Sequence, residues 1–255
     1  MKYSVCASSV YRGQPLKHSL PLLKAAGATA YEFWLWWEED QKELKALQDS
    51  LGLQLVSVCS RFAPMNVPER QKEFLEGLRE TLGFAEELGC PFIIGQAGPQ
   101  LSDVPRDEQE KRIADTLVKA DALLAGSRCT LALEPLNTQI DHKGYFLDKA
   151  GDAFRLVRAA GSPRVRVLYD IYHQFITEGA PLTDLLDNLD LVCHVHLAGH
   201  PGRHEPWLEN RIRADEYLDA LEQPSYTGYV GLEYMPKDPD RAQAELAGFL
   251  KGRCA

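Results

Sequence analysis

Cys129-Thr130-Leu131-Ala132-Leu133-Glu134 is an apolar run that closes on a carboxylate, and three later runs carry a polar side chain at their ends in the same way, two of them a carboxylate and one a histidine. They are Arg164-Val165-Arg166-Val167-Leu168-Tyr169-Asp170, Leu191-Val192-Cys193-His194-Val195-His196-Leu197 and Tyr229-Val230-Gly231-Leu232-Glu233-Tyr234. Strands covered on both faces are apolar throughout, so a polar side chain at the end of such a run marks the rim of a sheet, where loops and ligands meet. Glu134, Asp170, His196 and Glu233 are separated by 36, 26 and 37 positions. One β-α unit of a closed barrel takes about 30 residues, which puts the four on consecutive strands, the fifth to the eighth, facing one rim. Three carboxylates and an imidazole form a donor set for a hard divalent cation. Mg²⁺ and Mn²⁺ suit it best, and Co²⁺ and Zn²⁺ are compatible.

Outward from these runs, strand-like and helix-like segments alternate along the whole chain. Strands are expected at Tyr3–Ser9, Thr29–Leu35, Gln54–Cys59, Phe92–Gly95, Thr130–Glu134, Val165–Asp170, Leu191–Leu197 and Tyr229–Glu233. Amphipathic stretches lie at Leu16–Ala26, Glu38–Ser50, Pro68–Leu88, Asp107–Leu124, Asp148–Ala160, Leu182–Asn188, Ala214–Glu222 and Asp238–Leu250. Phe74, Leu75, Leu78, Leu82, Ala85 and Leu88 recur at helical spacing. Gly27, Gly52, Gly89 and Gly161 fit helix C-caps that lead into strands. Eight such units with short links point to one α/β domain over residues 1–255, a (β/α)8 TIM barrel. A doubly wound sheet would carry a glycine-rich phosphate loop after its first strand, and Gly95-Gln96-Ala97-Gly98 is too short and misplaced for one.

Composition narrows the partners. A hydrophobic fraction of 45% and a charged fraction of 25% are those of a globular chain. The net charge of −9 argues against binding nucleic acid, which requires Lys and Arg to neutralise phosphates. Cys6, Cys59, Cys90, Cys129, Cys193 and Cys254 form no C-x-x-C pair and are expected as reduced packing residues. No apolar stretch reaches the roughly 18 residues of a membrane span, and the N-terminus lacks a signal-peptide core, so the expected location is cytoplasmic. Nothing selects an oligomeric state, although a homo-oligomer is compatible.

Two carboxylates beside a cation suit isomerisation through an enediolate, one removing a proton from carbon and the other returning it to the neighbouring carbon. Glu134 and Glu233 are the candidates, sharing ligation and proton transfer. His194 and His196 lie on one strand face, and the later one is nearer the rim, so His196 is the ligand. His194 is then a supporting or substrate-side residue, or a core histidine. Arg203, in Pro201-Gly202-Arg203-His204-Glu205-Pro206, follows that strand and is placed to grip a substrate carboxylate. His173, three residues after Asp170, is a donor to a substrate oxygen, and Arg61 is a weaker candidate for the same pocket. Phe33-Trp34-Leu35-Trp36-Trp37 is expected to pack the rim, while Lys143 and Tyr145 carry no assignment.

Several motifs are shared with one known family. Leu133-Glu134-Pro135-Leu136-Asn137-Thr138, Gly144-Tyr145-Phe146-Leu147, Tyr169-Asp170-Ile171-Tyr172-His173, His194-Val195-His196-Leu197-Ala198, the Arg203 loop and Gly228–Tyr234 resemble the hydroxypyruvate isomerase family, within the xylose isomerase-like barrels. The match covers roughly residues 130–236 in order. The resemblance implies interconversion of hydroxypyruvate and tartronate semialdehyde, or of a 2-oxo-tetronate. It also implies that Glu134 and Glu233 are the catalytic glutamates, with Asp170 and His196 completing the metal site. Two departures stand out: the family often has Gln where this chain has His196, whereas the ketose 3-epimerases carry His there, and Trp207–Ile212 replaces a Gly-Glu-Ile-Asn-like stretch, retaining only the Glu. The alternatives are therefore a ketose 3-epimerase, a lyase of the inosose dehydratase type and a barrel that binds a sugar acid without turning it over.

Overall fold

A computed structural model describes residues 1–222 and 226–254, with the side chain of Cys254 outside the described set. The eight strands are β1 (Lys2–Cys6), β2 (Ala30–Glu32), β3 (Gln54–Cys59), β4 (Phe92–Gly95), β5 (Thr130–Leu133), β6 (Val165–Asp170), β7 (Val192–Leu197) and β8 (Tyr229–Leu232). Every neighbouring pair is parallel and β8 closes on β1, giving a barrel in sequence order. The helices between and after them are α1 (Ala7–Val10), α2 (Leu16–Ala25), α3 (Gln41–Leu51), α4 (Gln71–Leu88), α5 (Arg106–Leu124), α6 (Ala150–Ala160), α7 (Ile171–Glu178), α8 (Leu182–Asp187), α9 (Ala214–Leu221) and α10 (Ala242–Cys254). Among the described residues no helix is long and apolar enough to cross a membrane.

Local chemistry sets the boundaries. The Asp40 carboxylate accepts from the N–H groups of Lys42 and Glu43, both at 2.9 Å, so α3 starts three residues later than its hydrophobic pattern suggests. Gly89 ends α4 at φ 69°, a left-handed conformation that a side chain disfavours, and turns the chain into β4. On α4, Phe74, Leu78, Ala85 and Leu88 are buried against the barrel, and Leu75 and Leu82 flank them half-buried. Between strands and helices lies the main apolar core, with Leu20 and Leu23 of α2 and Ile113 and Leu117 of α5 fully buried. Cys6, Cys59, Cys90 and Cys129 are buried free thiols and Cys193 is half-buried.

Three segments differ from expectation. β1 stops at Cys6 because the chain turns into α1, where Ser9 Oγ bonds Cys6 O at 3.0 Å. β2 stops at Glu32, and the aromatic residues after it leave the ladder for a short 3₁₀ turn at Trp36–Glu38. Asp170 is followed at once by α7, whose start it caps by accepting from the N–H groups of Tyr172 (2.8 Å) and His173 (3.2 Å).

Inside the barrel the strands contribute two kinds of layer. Cys59, Ile94, Ala132 and Leu168 form a small apolar cluster, the last two lying two residues before Glu134 and Asp170 on the same faces. Ser4, Glu32, Ser57, His194 and His196 are buried in the same interior. Gly231 of β8 leaves the space that they fill. A Cβ there would sit 2.3 Å from Glu32 Oε1, 2.7 Å from His196 Cδ2 and 2.9 Å from His194 Nε2.

Gly231→Ala is expected to destabilise the barrel by about 1–3 kcal/mol, the usual cost of overpacking. That is a fall of about 3–10 °C in the thermal midpoint of a chain this size. An unchanged midpoint would show that the polar layer is looser than drawn.

Candidate metal centre and catalytic cleft

The parallel ladder levels the four strand ends. Asp170 is paired with His196, and His196 with Gly231. Glu134 and Glu233 extend their strands by one residue, their N–H groups bonding Gly95 O and Leu197 O, each at 3.2 Å. One ligand atom from each of Glu134, Asp170, His196 and Glu233 lies within 4.8 Å of the others, and all four residues are buried. These are the residues that the strand spacing singles out.

The group is short of positive charge. His196 Nδ1 lies 3.3 Å from Glu233 Oε2 and 3.7 Å from Glu134 Oε1, yet is buried without a hydrogen-bond partner. Arg203 is the nearest permanent cation. Its guanidinium pairs with Glu233, lies 3.3 Å from Asp170 Oδ2 and rests over the Tyr172 ring at 5.1 Å. Its backbone has φ 56°, a left-handed conformation costing about 1 kcal/mol or more in a non-glycine residue and held here by the side-chain contacts. Trp34 Nε1 donates to Glu233 Oε1 at 2.7 Å, so the aromatic run expected to pack the rim also orients a carboxylate.

Proton affinities follow from burial and these neighbours. Burial pushes the Glu134 carboxyl up to about 7. It raises Asp170 as well, against the pull of Arg203. In Glu233 burial acts the same way, but Arg203 and His196 outweigh it and hold the carboxyl well below the usual range. Burial opposes charge on His196, yet Glu233 and Glu32 outweigh it and keep a proton on the ring well above its ordinary value. Three carboxylates around a partnerless ring nitrogen thus favour an added positive charge, and the hard-donor set fits a divalent cation.

The remaining candidates fall in different places. His173 is buried beside Asp170, its Nε2 3.5 Å from Asp170 Oδ2. Its Nδ1 faces the Asn137 side-chain amide at 2.6 Å and the Asn137 N–H at 3.3 Å, both donors, so the ring proton is on Nε2, towards the site. His194 lies deeper and does not line the cleft, its Nε2 3.0 Å from Glu32 Oε1. Arg61 is not brought to the carboxylates. It pairs with exposed Glu80 at 2.6 Å and packs over Trp36 and Trp37. The cleft, about 350 Å³, is walled by Trp34, Phe62, Gln96, His142 and His173 around Glu134 and Glu233. Arg61 instead lines an adjoining pocket of about 340 Å³ that shares Phe62, Gln96 and His142 with it. Glu32 and Trp34 were not among the sequence candidates. Glu32 also closes an apolar strand, Ala30-Tyr31-Glu32, and carries the same rim signal.

The chain matches the xylose isomerase-like TIM barrel family over residues 20–253 and belongs to that family. It is an isomerase of that superfamily, as its relatives' names indicate. A Homo sapiens protein provisionally named hydroxypyruvate isomerase is 32% identical over 84% of this chain and 83% of its own length. The 2-oxo-tetronate isomerase of Cupriavidus necator is 26% identical over 92% of this chain and 93% of its own. Among solved structures, the AP endonuclease, family 2 from Brucella melitensis superposes with a TM-score of 0.91 at 25% identity, covering 98% of both chains.

Burial, followed by the Arg203 charge, holds the His173 imidazole well below its ordinary value of 6.5. A depressed folded value means that the unfolded chain takes up the proton first, so this residue favours folding above pH 6.5 and loses that contribution as the pH falls. Nitrogen-15 imidazole spectra are expected to show His173 neutral at pH 6.5, where an ordinary imidazole is half protonated. A protonated pattern at pH 6.5 would contradict its placement.

Proposed function

We propose that this isomerase acts on a small hydroxy-oxo acid, interconverting hydroxypyruvate and 2-hydroxy-3-oxopropanoate by proton transfer between Glu233 and Glu134. The observation that carries this reading is geometric: the buried carboxyls of Glu134 and Glu233 converge with Asp170 and His196 on one cleft, close enough for both to face a single small substrate. Burial raises the proton affinity of Glu134 while Arg203 and His196 lower that of Glu233, a direction in keeping with one acid and one base. The names of the relatives, hydroxypyruvate isomerase and 2-oxo-tetronate isomerase, support the substrate class.

Glu233 is aimed by Trp34 at one oxygen and by Arg203 at the other. It removes a proton from C3 of hydroxypyruvate, leaving an enediolate across C2 and C3. Glu134 delivers a proton to C2 while the C3 hydroxyl proton passes to the C2 oxygen, leaving an aldehyde at C3 and a hydroxyl at C2, and the proton held by Glu233 exchanges through solvent to restore Glu134. One C–H bond breaks and one forms, and the composition is unchanged. Glu134, Asp170, His196 and Glu233 would hold Mg²⁺ or Mn²⁺, which supplies Lewis-acid stabilisation of the substrate oxygens when bound. His173 presents its Nε2 proton to a substrate oxygen, and Arg203 is the nearest cation for the substrate carboxylate. Trp34, Leu35, Phe62, Ile94 and Leu136 keep bulk water from the reacting carbons.

A second reading rests on the cleft volume of about 350 Å³, generous for a three-carbon acid. It favours a longer substrate, a 2-oxo-tetronate or a free ketose epimerised at C3, worked on by the same two glutamates.

Solvent deuterium is expected to enter C3 of hydroxypyruvate in the presence of Mn²⁺, whereas exchange at C3 of a ketose instead would select the epimerase. Glu233→Gln and Glu134→Gln should each slow exchange by about 10²–10⁴-fold in a folded protein, and activity within about tenfold of the parent would remove the residue from its role. Chelator treatment should abolish turnover and Mn²⁺ or Mg²⁺ restore it. The metal-free protein should also gain about 2.7 kcal/mol of stability at a hundredfold excess of Mn²⁺ over its dissociation constant, read as a rise in thermal midpoint. A protein unaffected by chelation would end the metal-assisted reading.

A further inference from the structure

A second buried cluster, Glu32, His194 and His196, lies beneath the cleft and shares one residue with it. Glu32 is only 1% exposed, so its carboxylate is satisfied by protein or not at all. Four groups point at its two oxygens. Ser4 Oγ and His194 Nε2 (3.0 Å) meet Oε1, and Ser57 Oγ and His196 Nε2 (2.9 Å) meet Oε2. An ionised carboxylate only accepts, so each of the four must donate. His196 therefore carries a proton on Nε2, whatever else happens to its ring. Its other nitrogen, Nδ1, is turned by the same contact towards Glu134 and Glu233, with no hydrogen-bond partner.

The carboxylate is itself held in place. Donors from β1 and β3 fix it from either side, and His194 locks the Oε1 end while lying edge-on to His196 at a centroid distance of 4.9 Å. Gly231 removes the Cβ that would push Oε1 away. Everything around Glu32 serves one geometry, an oxygen presented to His196 Nε2.

We infer that Glu32 is a positioning residue. By accepting the Nε2 proton of His196, it makes that ring's Nδ1 the one neutral donor of the cation site. The inference rests on the metal reading given under Proposed function. It adds β2, across the barrel, to a centre otherwise built from β5 to β8, and gives His194 the part of a brace for Glu32 rather than a contact to substrate. Outer hydrogen-bond partners of this kind fix a ligating ring's tautomer and orientation, and losing one weakens metal binding by about 10–100-fold.

The test uses full-length protein and two readouts that do not involve turnover. Free Mn²⁺, followed by its paramagnetic resonance signal, gives the dissociation constant of the parent and of Glu32→Gln. The variant is expected to bind about 10–100-fold more weakly. A residue needed only for folding would instead lower the metal-free thermal midpoint and leave the affinity of the folded protein within about twofold, which would overturn the inference. Nitrogen-15 imidazole spectra of the parent titrated with Mg²⁺ need no variant and decide the matter even if Glu32→Gln fails to fold. The Nδ1 resonance of His196 should move while Nε2 stays protonated, and loss of the proton from Nε2 would overturn the inference. A parent that binds neither ion removes the metal reading and this inference together. Binding by the parent with equal binding by the variant removes this inference alone.

Discussion

Negative charge gathered in a small dry volume is the constraint around which this barrel is organised. Glu32, Glu134, Asp170 and Glu233 are all buried, and the permanent positive charge among them is Arg203. Removing a carboxylate from water is costly unless opposite charge or several hydrogen bonds replace the lost solvation. Each of the four meets that requirement differently. Glu32 has four donors, Glu233 has Trp34 and Arg203, and Asp170 has two N–H groups of α7 together with Arg203. Among the described residues Glu134 has the least, its Oε1 lying 3.7 Å from His196 Nδ1, and burial raises its proton affinity. The least supported carboxyl is thus the one best placed to carry a proton, and the best supported pair is the most firmly ionised.

That division of labour depends on backbone as much as on side chains. Asp170 serves a helix start with one oxygen and the site with the other, so α7 and the carboxylate cluster cannot be placed independently. Arg203 reaches its partners from a left-handed backbone position in the loop after β7. The closed ladder keeps Asp170, His196 and Gly231 in direct register across three strands, and such register resists slippage because a shift of one residue would turn every interior side chain outward.

Much of this was legible in the chain, for identifiable reasons. Glu134, Asp170, His196 and Glu233 stand out because each interrupts an apolar run at its end, and because their separations match the length of a β-α unit. Glu32 ends its strand in the same way, but the residues after it, Phe33-Trp34-Leu35-Trp36-Trp37, read as a continued apolar run and hide the boundary. Its partners come from β1, β3 and β7, and separations of 25 to 164 positions carry no period that a linear reading detects. Arg61 shows the converse. It follows β3 much as His173 follows β6, yet its side chain is drawn outward by Glu80 of α4 and by two indole rings. Strand-end position gives the level of a side chain on the barrel axis. Which way a residue beyond the strand turns is decided by helices that spacing does not describe.

The polar layer under the cleft also explains why the interior of this barrel is divided. A uniformly apolar interior would satisfy packing at lower cost, as Cys59, Ile94, Ala132 and Leu168 do. A carboxylate, two histidines and two serines in the same interior are tolerable because Glu32 accepts from all four of the others. His194 Nδ1 and His196 Nδ1 are both buried without a partner. The first has no carboxylate within reach and is left as a modest unmet acceptor or donor. The second faces two carboxylates, a setting that favours positive charge. Stability alone does not account for two rings bonded to the same carboxylate having such different outer surroundings. A layer built to present one nitrogen to a cation, as inferred above, would account for it.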